Sequence, residues 1–162
     1  MTEKIRILIV DDEVKFLDSI ARRLEMRDFD VSKASNGEDA LKLVRQKTFD
    51  LALLDLKMPG IDGQQVLRKL KSDHPYIEVI ILTGHGSIDS AVECTKLGAI
   101  GYLPKPYELD PLIQKLKEAY KERVTKIFEK DVDRMERIQQ ICMGNSPLGI
   151  LRALHDLENE GK

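Results

Sequence analysis

Five short runs of apolar, largely β-branched residues mark the first two thirds of the chain: Ile5 to Val10, Phe29 to Ala34, Asp50 to Asp55, Ile77 to Leu82 and Ile100 to Leu103. Their length and composition predict strands. Between them apolar residues recur at helical spacing, most clearly Leu17, Ile20, Ala21 and Leu24, with charges on the opposite face. Ala40, Leu41 and Val44 repeat the pattern, as do Val66, Leu67 and Leu70, and then Ala91, Val92 and Leu97. Such alternation predicts an α/β fold, a doubly wound five-stranded parallel sheet with right-handed crossovers and helices on both faces. The first, third and fourth runs are nearly all apolar, as strands buried on both sides must be. The second mixes in Asp30, Ser32 and Lys33 and reads as an edge strand. The expected strand order is 2-1-3-4-5, within residues 1–122.

The remaining stretch, residues 123–162, has a different pattern. From Asp110, a candidate helix cap followed by Pro111, no Gly or Pro interrupts the chain until Gly144. One long helix is therefore expected to continue to about residue 143, a length of roughly 50 Å. Its apolar positions repeat every eleven residues: Ile113, Val124, Met135 in one series, Leu116, Ile127, Ile138 in another. Tyr120, Asp131 and Cys142 form a third series with one polar member. That period keeps the stripe on one side of a nearly straight helix. After Gly144 and Asn145, Ser146-Pro147 reads as the cap and first turn of a short helix over about 147–158, with Leu148, Leu151, Leu154 and Leu157 on one face. The stripe from Val124 onward needs cover, from this short helix folding back or from a partner such as a second copy paired through the C-terminal helix.

Composition narrows the function. With 162 residues the chain suits one core and a modest appendage, not a multidomain enzyme. The 26 basic against 28 acidic residues, a net charge of -2, argue against direct nucleic-acid or anionic-membrane binding. Apolar runs such as Leu51 to Leu54 are far shorter than the roughly 20 residues of a membrane span. The start, MTEKIRILIVDD, does not read as a secretory signal, so a cytoplasmic protein is expected. Cys94 and Cys142 lack metal-ligand spacing and read as two reduced thiols.

In an open parallel sheet, ligands bind outside the carboxyl ends of the strands. Asp11 and Asp12 follow the first predicted strand, Asp55 ends the third, Thr83 follows the fourth and Lys105 lies just past the fifth. Singly each has a plainer role: a helix cap for Asp11 and Asp12, a turn at Met58-Pro59-Gly60 for Asp55, a local hydrogen bond for Thr83, a loop cation in Lys105. Their convergence on one edge argues for one site. Three carboxylates together repel at about 4 kcal/mol per pair at 4 Å and an effective dielectric of 20, and so invite a cation. Magnesium, which takes one or two carboxylates and keeps several waters, suits a phosphate site. Lys105 would neutralise a phosphoryl group, Thr83 would donate to its oxygen, and Asp55 is the expected nucleophile toward phosphorus.

The stretches VDD at 10–12, DLKMPGIDG at 55–63, LTGHG at 82–86 and YLPKP at 102–106 together resemble the response-regulator receiver domain of bacterial two-component signalling, over about residues 4–122. Each is weak alone, but their order and spacing are specific. The resemblance implies a flavodoxin-like fold and a signalling switch that catalyses only its own phosphorylation and dephosphorylation. Asp55 would accept a phosphoryl group from a phosphohistidine on a sensor histidine kinase or phosphotransfer protein. Asp12, Asp55 and the backbone carbonyl of Lys57 would ligate Mg2+ directly, and Asp11 through water. Thr83 and Lys105 would contact the phosphoryl group, with Tyr102 as the switch aromatic and the Lys105-Pro106 bond cis. Phosphorylation would draw Thr83 and Lys105 inward and open space for Tyr102, reshaping the face where the long helix begins. Lys57 and His85, two residues past Asp55 and Thr83, are expected at the site mouth, slowing hydrolysis by water.

The tail carries no GxxxxGK[ST] phosphate loop and no two-helix DNA-reading unit. The polar stretch Glu158 to Lys162 reads as a natural end, which favours a stand-alone regulator acting on an unknown downstream protein. Against this, LTGHGSIDSAVE resembles receivers of the bacterial enhancer-binding activators, and MGNSPLGIL the start of their ATPase module. The alternative is thus an N-terminal piece of such an activator. Phosphatases of the dehalogenase type also gather Asp, Thr and Lys around magnesium, but place an acid two residues after the nucleophile, where this chain has Lys57.

Overall fold

Strands β1 (Ile5–Val10), β2 (Phe29–Ala34), β3 (Leu51–Leu54), β4 (Glu78–Thr83) and β5 (Gly101–Pro104) form one parallel sheet in the order β2-β1-β3-β4-β5. The structure is a computed structural model and describes residues 3–144 and 146–161; Asn145 lies outside them. The expected order and class are both present. β3, at the centre, and β4 are buried along their whole length, whereas β2 is buried only at its two end residues and lies at an edge. Helices α1 (Val14–Glu25), α2 (Gly37–Gln46), α3 (Gly63–Asp73), α4 (Ile88–Lys96) and α5 (Leu109–Ile127) connect or follow the strands.

The sheet separates two cores. On one face the stripe Leu17, Ile20, Ala21 and Leu24 of α1 joins Ile7, Ile9 and Leu53 of the sheet and Leu112, Leu116 and Tyr120 of α5. On the other, Val66, Leu67 and Leu70 of α3 and Val44 of α2 pack against Leu8, Leu54 and Ile81. Each fully buried Leu or Ile contributes about 1.5–3 kcal/mol relative to an exposed one, so the periodic stripes drive the layering.

The tail corrects one expectation. The predicted helix to about residue 143 breaks: α5 ends at Ile127, three turn residues follow, and α6 (Val132–Ile141) begins anew. The break has a local cause, because Asp131 caps α6 by accepting from the Arg134 backbone N–H at 3.1 Å. The Arg134 guanidinium returns to Asp131 at 2.8 Å and lies over the Phe128 ring at 4.7 Å, stabilising the corner. At the start of α5 the cap position is Glu108, and Asp110 lies inside the first turn, not ahead of it.

α7 (Pro147–Glu158) begins as expected, with the Ser146 hydroxyl accepting from Gly149 N–H and Pro147 in the first turn. It folds back on α5, and Ile150, Leu151, Leu154 and Leu157 enter the α1 and α5 core. Val124 is wholly buried, so the stripe is covered within one chain. Glu158, read above as the start of a polar end, is 5% exposed and belongs to the interior.

Candidate functional site

Parallel register brings the carboxyl ends of the strands to one edge. Val10 pairs with Leu54, Leu54 with Ile81, and Thr83 with Pro104, so Asp11, Asp55 and Lys105 emerge side by side beyond their strands. Backbone bonds extend the ladder past the strand ends: Asp55 N–H donates to Val10 O at 3.0 Å, and Lys105 N–H to Thr83 O at 2.9 Å. Gly63 closes the turn behind Asp55. A Cβ there would lie 2.1 Å from the Asp55 carbonyl oxygen, so only glycine lets α3 start so near.

The structure brings Asp11, Asp12 and Asp55 together, with one carboxylate oxygen from each within 4.8 Å of the others. Asp11 and Asp55 are buried and Asp12 is exposed. Neither Asp11 nor Asp12 is the cap of α1; that position is Glu13, whose N–H donates to Asp11 Oδ1 at 2.9 Å. Leu56 N–H donates to Asp55 Oδ1 at 2.9 Å, leaving Oδ2 toward Lys105. The Lys105 ammonium lies 2.5 Å from Asp11 Oδ2, 3.1 Å from Glu13 Oε1 and 3.8 Å from Asp55 Oδ2.

One ammonium among four carboxylates leaves the edge strongly negative. Burial raises the Asp11 carboxyl above its ordinary range, although the bond from Lys105 pulls the other way. For Lys105 burial lowers the affinity for a proton, but the bonds to Asp11 and Glu13 and the nearby Asp55 outweigh it and leave the ammonium held more tightly than usual. Clustered carboxylate oxygens of this kind are the donor set that a hard divalent cation takes, and they fit Mg2+.

Thr83 ends β4, buried, with its hydroxyl oxygen accepting from His85 N–H at 3.1 Å. Tyr102 sits on β5 opposite Ile81, and its hydroxyl lies 2.9 Å from the Ser90 hydroxyl on α4. Its ring passes so near Gly86 that a Cβ there would meet the phenol oxygen at 2.2 Å. Lys57 and His85, both exposed, line an open cleft of about 450 Å³ at the mouth with Asp12, Met58 and Asp62. The Lys105-Pro106 peptide is cis.

Sequence reasoning missed two neighbours of Lys105. Glu13 extends the acid run DDE, and that run was its only signal. Phe16, one helical turn on, places its ring centroid 4.2 Å from the Lys105 ammonium.

The sequence model of the response regulator receiver domain matches residues 7–117. This chain belongs to the response-regulator receiver family. The transcriptional regulatory protein ZraR of Klebsiella oxytoca is 38% identical over 152 residues, covering 94% of this chain and 33% of that protein. The chain thus spans about a third of the length of that relative. A receiver domain protein from Clostridium thermocellum superposes with a TM-score of 0.70 at 35% identity, covering 74% of this chain and 96% of that one. NtrX from Brucella abortus superposes with a TM-score of 0.73 at 25% identity, covering 96% of this chain and 41% of that one. Among the described residues no helix is long and apolar enough to cross a membrane.

Proposed function

We propose that this receiver, residues 1–122, is a phosphorylation switch in the cytoplasm whose acceptor is Asp55, with residues 123–162 as its helical extension. The observation that carries the reading is the Asp11, Asp12 and Asp55 cluster with the Lys105 ammonium 3.8 Å from Asp55. An Asp55 carboxylate oxygen attacks the phosphorus of a phosphohistidine on a sensor histidine kinase or phosphotransfer protein. The O–P bond forms as the P–N bond breaks, and the electron pair stays on the imidazole nitrogen, which takes a proton from solvent. Asp12, Asp55 and the Lys57 carbonyl would hold Mg2+ directly and Asp11 through water; when bound, the ion offsets charge on the phosphoryl oxygens. Lys105 neutralises the new phosphoryl group and the Thr83 hydroxyl donates to it. Tyr102 responds from β5, where its bond to Ser90 reports to α4.

Incubation with acetyl phosphate and magnesium chloride, followed by intact mass, tests the reading. One phosphoryl adduct is expected on the wild type and none on Asp55→Asn. An unmodified wild type, or an equal adduct on the variant, overturns it.

For the output, similarity to ZraR and NtrX runs through the tail as well as the receiver, which supports a receiver with its following segment from a transcriptional activator of that kind. The competing reading is a stand-alone regulator acting on a downstream protein through its tail. An antiserum raised against this chain separates them in source cells: a band near the mass of this chain supports the second, and one about three times larger the first. Light scattering before and after phosphorylation reads any homodimer formed through the C-terminal helix.

A further inference from the structure

Lys105 is held by an aromatic ring as well as by acids. The Phe16 ring lies 4.2 Å from its ammonium, and Phe16 in turn meets Tyr107 edge to face, with centroids 5.7 Å apart at 85°. The Arg23 guanidinium lies over the Tyr107 ring, 5.7 Å from its centroid. The result is a cation, ring, ring, cation chain that interleaves two segments: Phe16 and Arg23 come from α1, Lys105 and Tyr107 from the loop after β5. We propose that Phe16 is a positioning residue for Lys105, holding the ammonium beside Asp55 while it exchanges its carboxylate partners for a phosphoryl group. The inference rests on the phosphoacceptor reading of Asp55.

The physics distinguishes the ring from the acids. Asp11 and Glu13 hold Lys105 by short directional bonds, and Asp55 is the more distant partner at 3.8 Å. A phosphoryl group on Asp55 needs the ammonium to shift, which weakens those bonds. An aromatic face attracts a cation through its quadrupole over distances up to about 6 Å, so the Phe16 contact persists through a displacement that would break a hydrogen bond. Only 12% of the Lys105 side chain is exposed, and the attraction is stronger where water is excluded. The near-perpendicular contact with Tyr107 supports the Phe16 ring where it meets the ammonium.

The test measures the rate of Asp55 phosphorylation by acetyl phosphate with magnesium. Phe16→Leu and Phe16→Met fill the space without the face, and each is expected to slow the reaction about three- to tenfold. Phe16→Tyr keeps the face and stays within about twofold of wild type. In a Lys105→Met background, the Phe16→Leu change is expected to add almost nothing, because its effect runs through the ammonium. A wild type that takes no phosphoryl group refutes the acceptor reading instead. If the wild type is modified while the Leu and Met variants match it, or if Phe16→Leu slows both backgrounds equally, the positioning role is overturned.

Discussion

Arg123 on α5 and Glu158 on α7 are joined at two points, Nε to Oε1 at 2.9 Å and Nη2 to Oε2 at 3.0 Å. The same guanidinium donates to the Tyr76 carbonyl at 2.7 Å and lies 3.2 Å from Asp50, which Arg6 also holds, while the Tyr120 hydroxyl donates to Glu158 at 2.8 Å. This network lies at the amino end of the sheet, opposite the acidic edge. It fastens the last turn of α7 to the start of β3, whose other end carries Asp55.

Removing one partner of a buried ion pair leaves the other charge uncompensated, and the two partners here are not equivalent. Arg123→Ala takes the two-point guanidinium contact from Glu158, which keeps the Tyr120 hydroxyl, and one of two guanidinium partners from Asp50, and is expected to cost about 3–5 kcal/mol. Glu158→Ala leaves Arg123 with Asp50 and the Tyr76 carbonyl, and should cost about 1.5–3 kcal/mol. Urea denaturation of the two variants checks the order; a larger loss for Glu158→Ala would contradict it.

Asp11 gives a pH dependence of definite sign. Its carboxyl holds a proton more tightly when folded than at the ordinary value of 3.8, with burial as the main cause. The folded state then binds more protons across the window from 3.8 up to the raised value, so the charge of Asp11 destabilises increasingly as pH rises through it. Asp11→Asn, which keeps an acceptor for Lys105, should therefore stabilise the metal-free protein at pH 7 and make little difference near pH 3. Urea midpoints at the two pH values decide; a destabilised variant at pH 7 would sink the assignment.

The sheet edge was legible because its signals are local: a strand ends, and a polar residue stands where the apolar run stops. Asp11, Asp12, Asp55, Thr83 and Lys105 all carry that mark. The opposite edge was not legible, although Asp50 and Glu78 are buried there. Their partners Arg123 and Lys126 come from far along the chain, as does Glu158, which Arg123 also holds, and a lone acid at a strand start looks like a solvated end. The helix break failed for a different reason. Asp131 was visible as the one polar member of an eleven-residue series, but its capping role depends on Arg134 and Phe128 folding over the corner. Phe16 was hidden because a ring against a distant lysine leaves no trace in spacing.

Magnesium should stabilise the folded chain, since three clustered carboxylates exist only in that state. At ten times its dissociation constant a ligand of the native state adds about 1.4 kcal/mol. Thermal melts with and without magnesium chloride should show an upward shift for wild type and little or none for Asp12→Asn or Asp55→Asn. An equal shift in all three would place the ion elsewhere.

Lys57 and His85 line the open cleft beside Asp12, where water would approach a phosphoryl group carried on Asp55. Attack in line with the breaking bond needs that approach clear, and the Lys57 and His85 side chains at the mouth would crowd it. Trimming either to alanine is expected to speed dephosphorylation about threefold, which corresponds to less than about 1 kcal/mol of barrier. The double variant should be faster than either single one, because the two residues approach from different loops. The decay of the phosphorylated species, followed by intact mass after the phosphodonor is removed, gives the rates. Unchanged lifetimes in both single variants would mean that these side chains face solvent without kinetic effect.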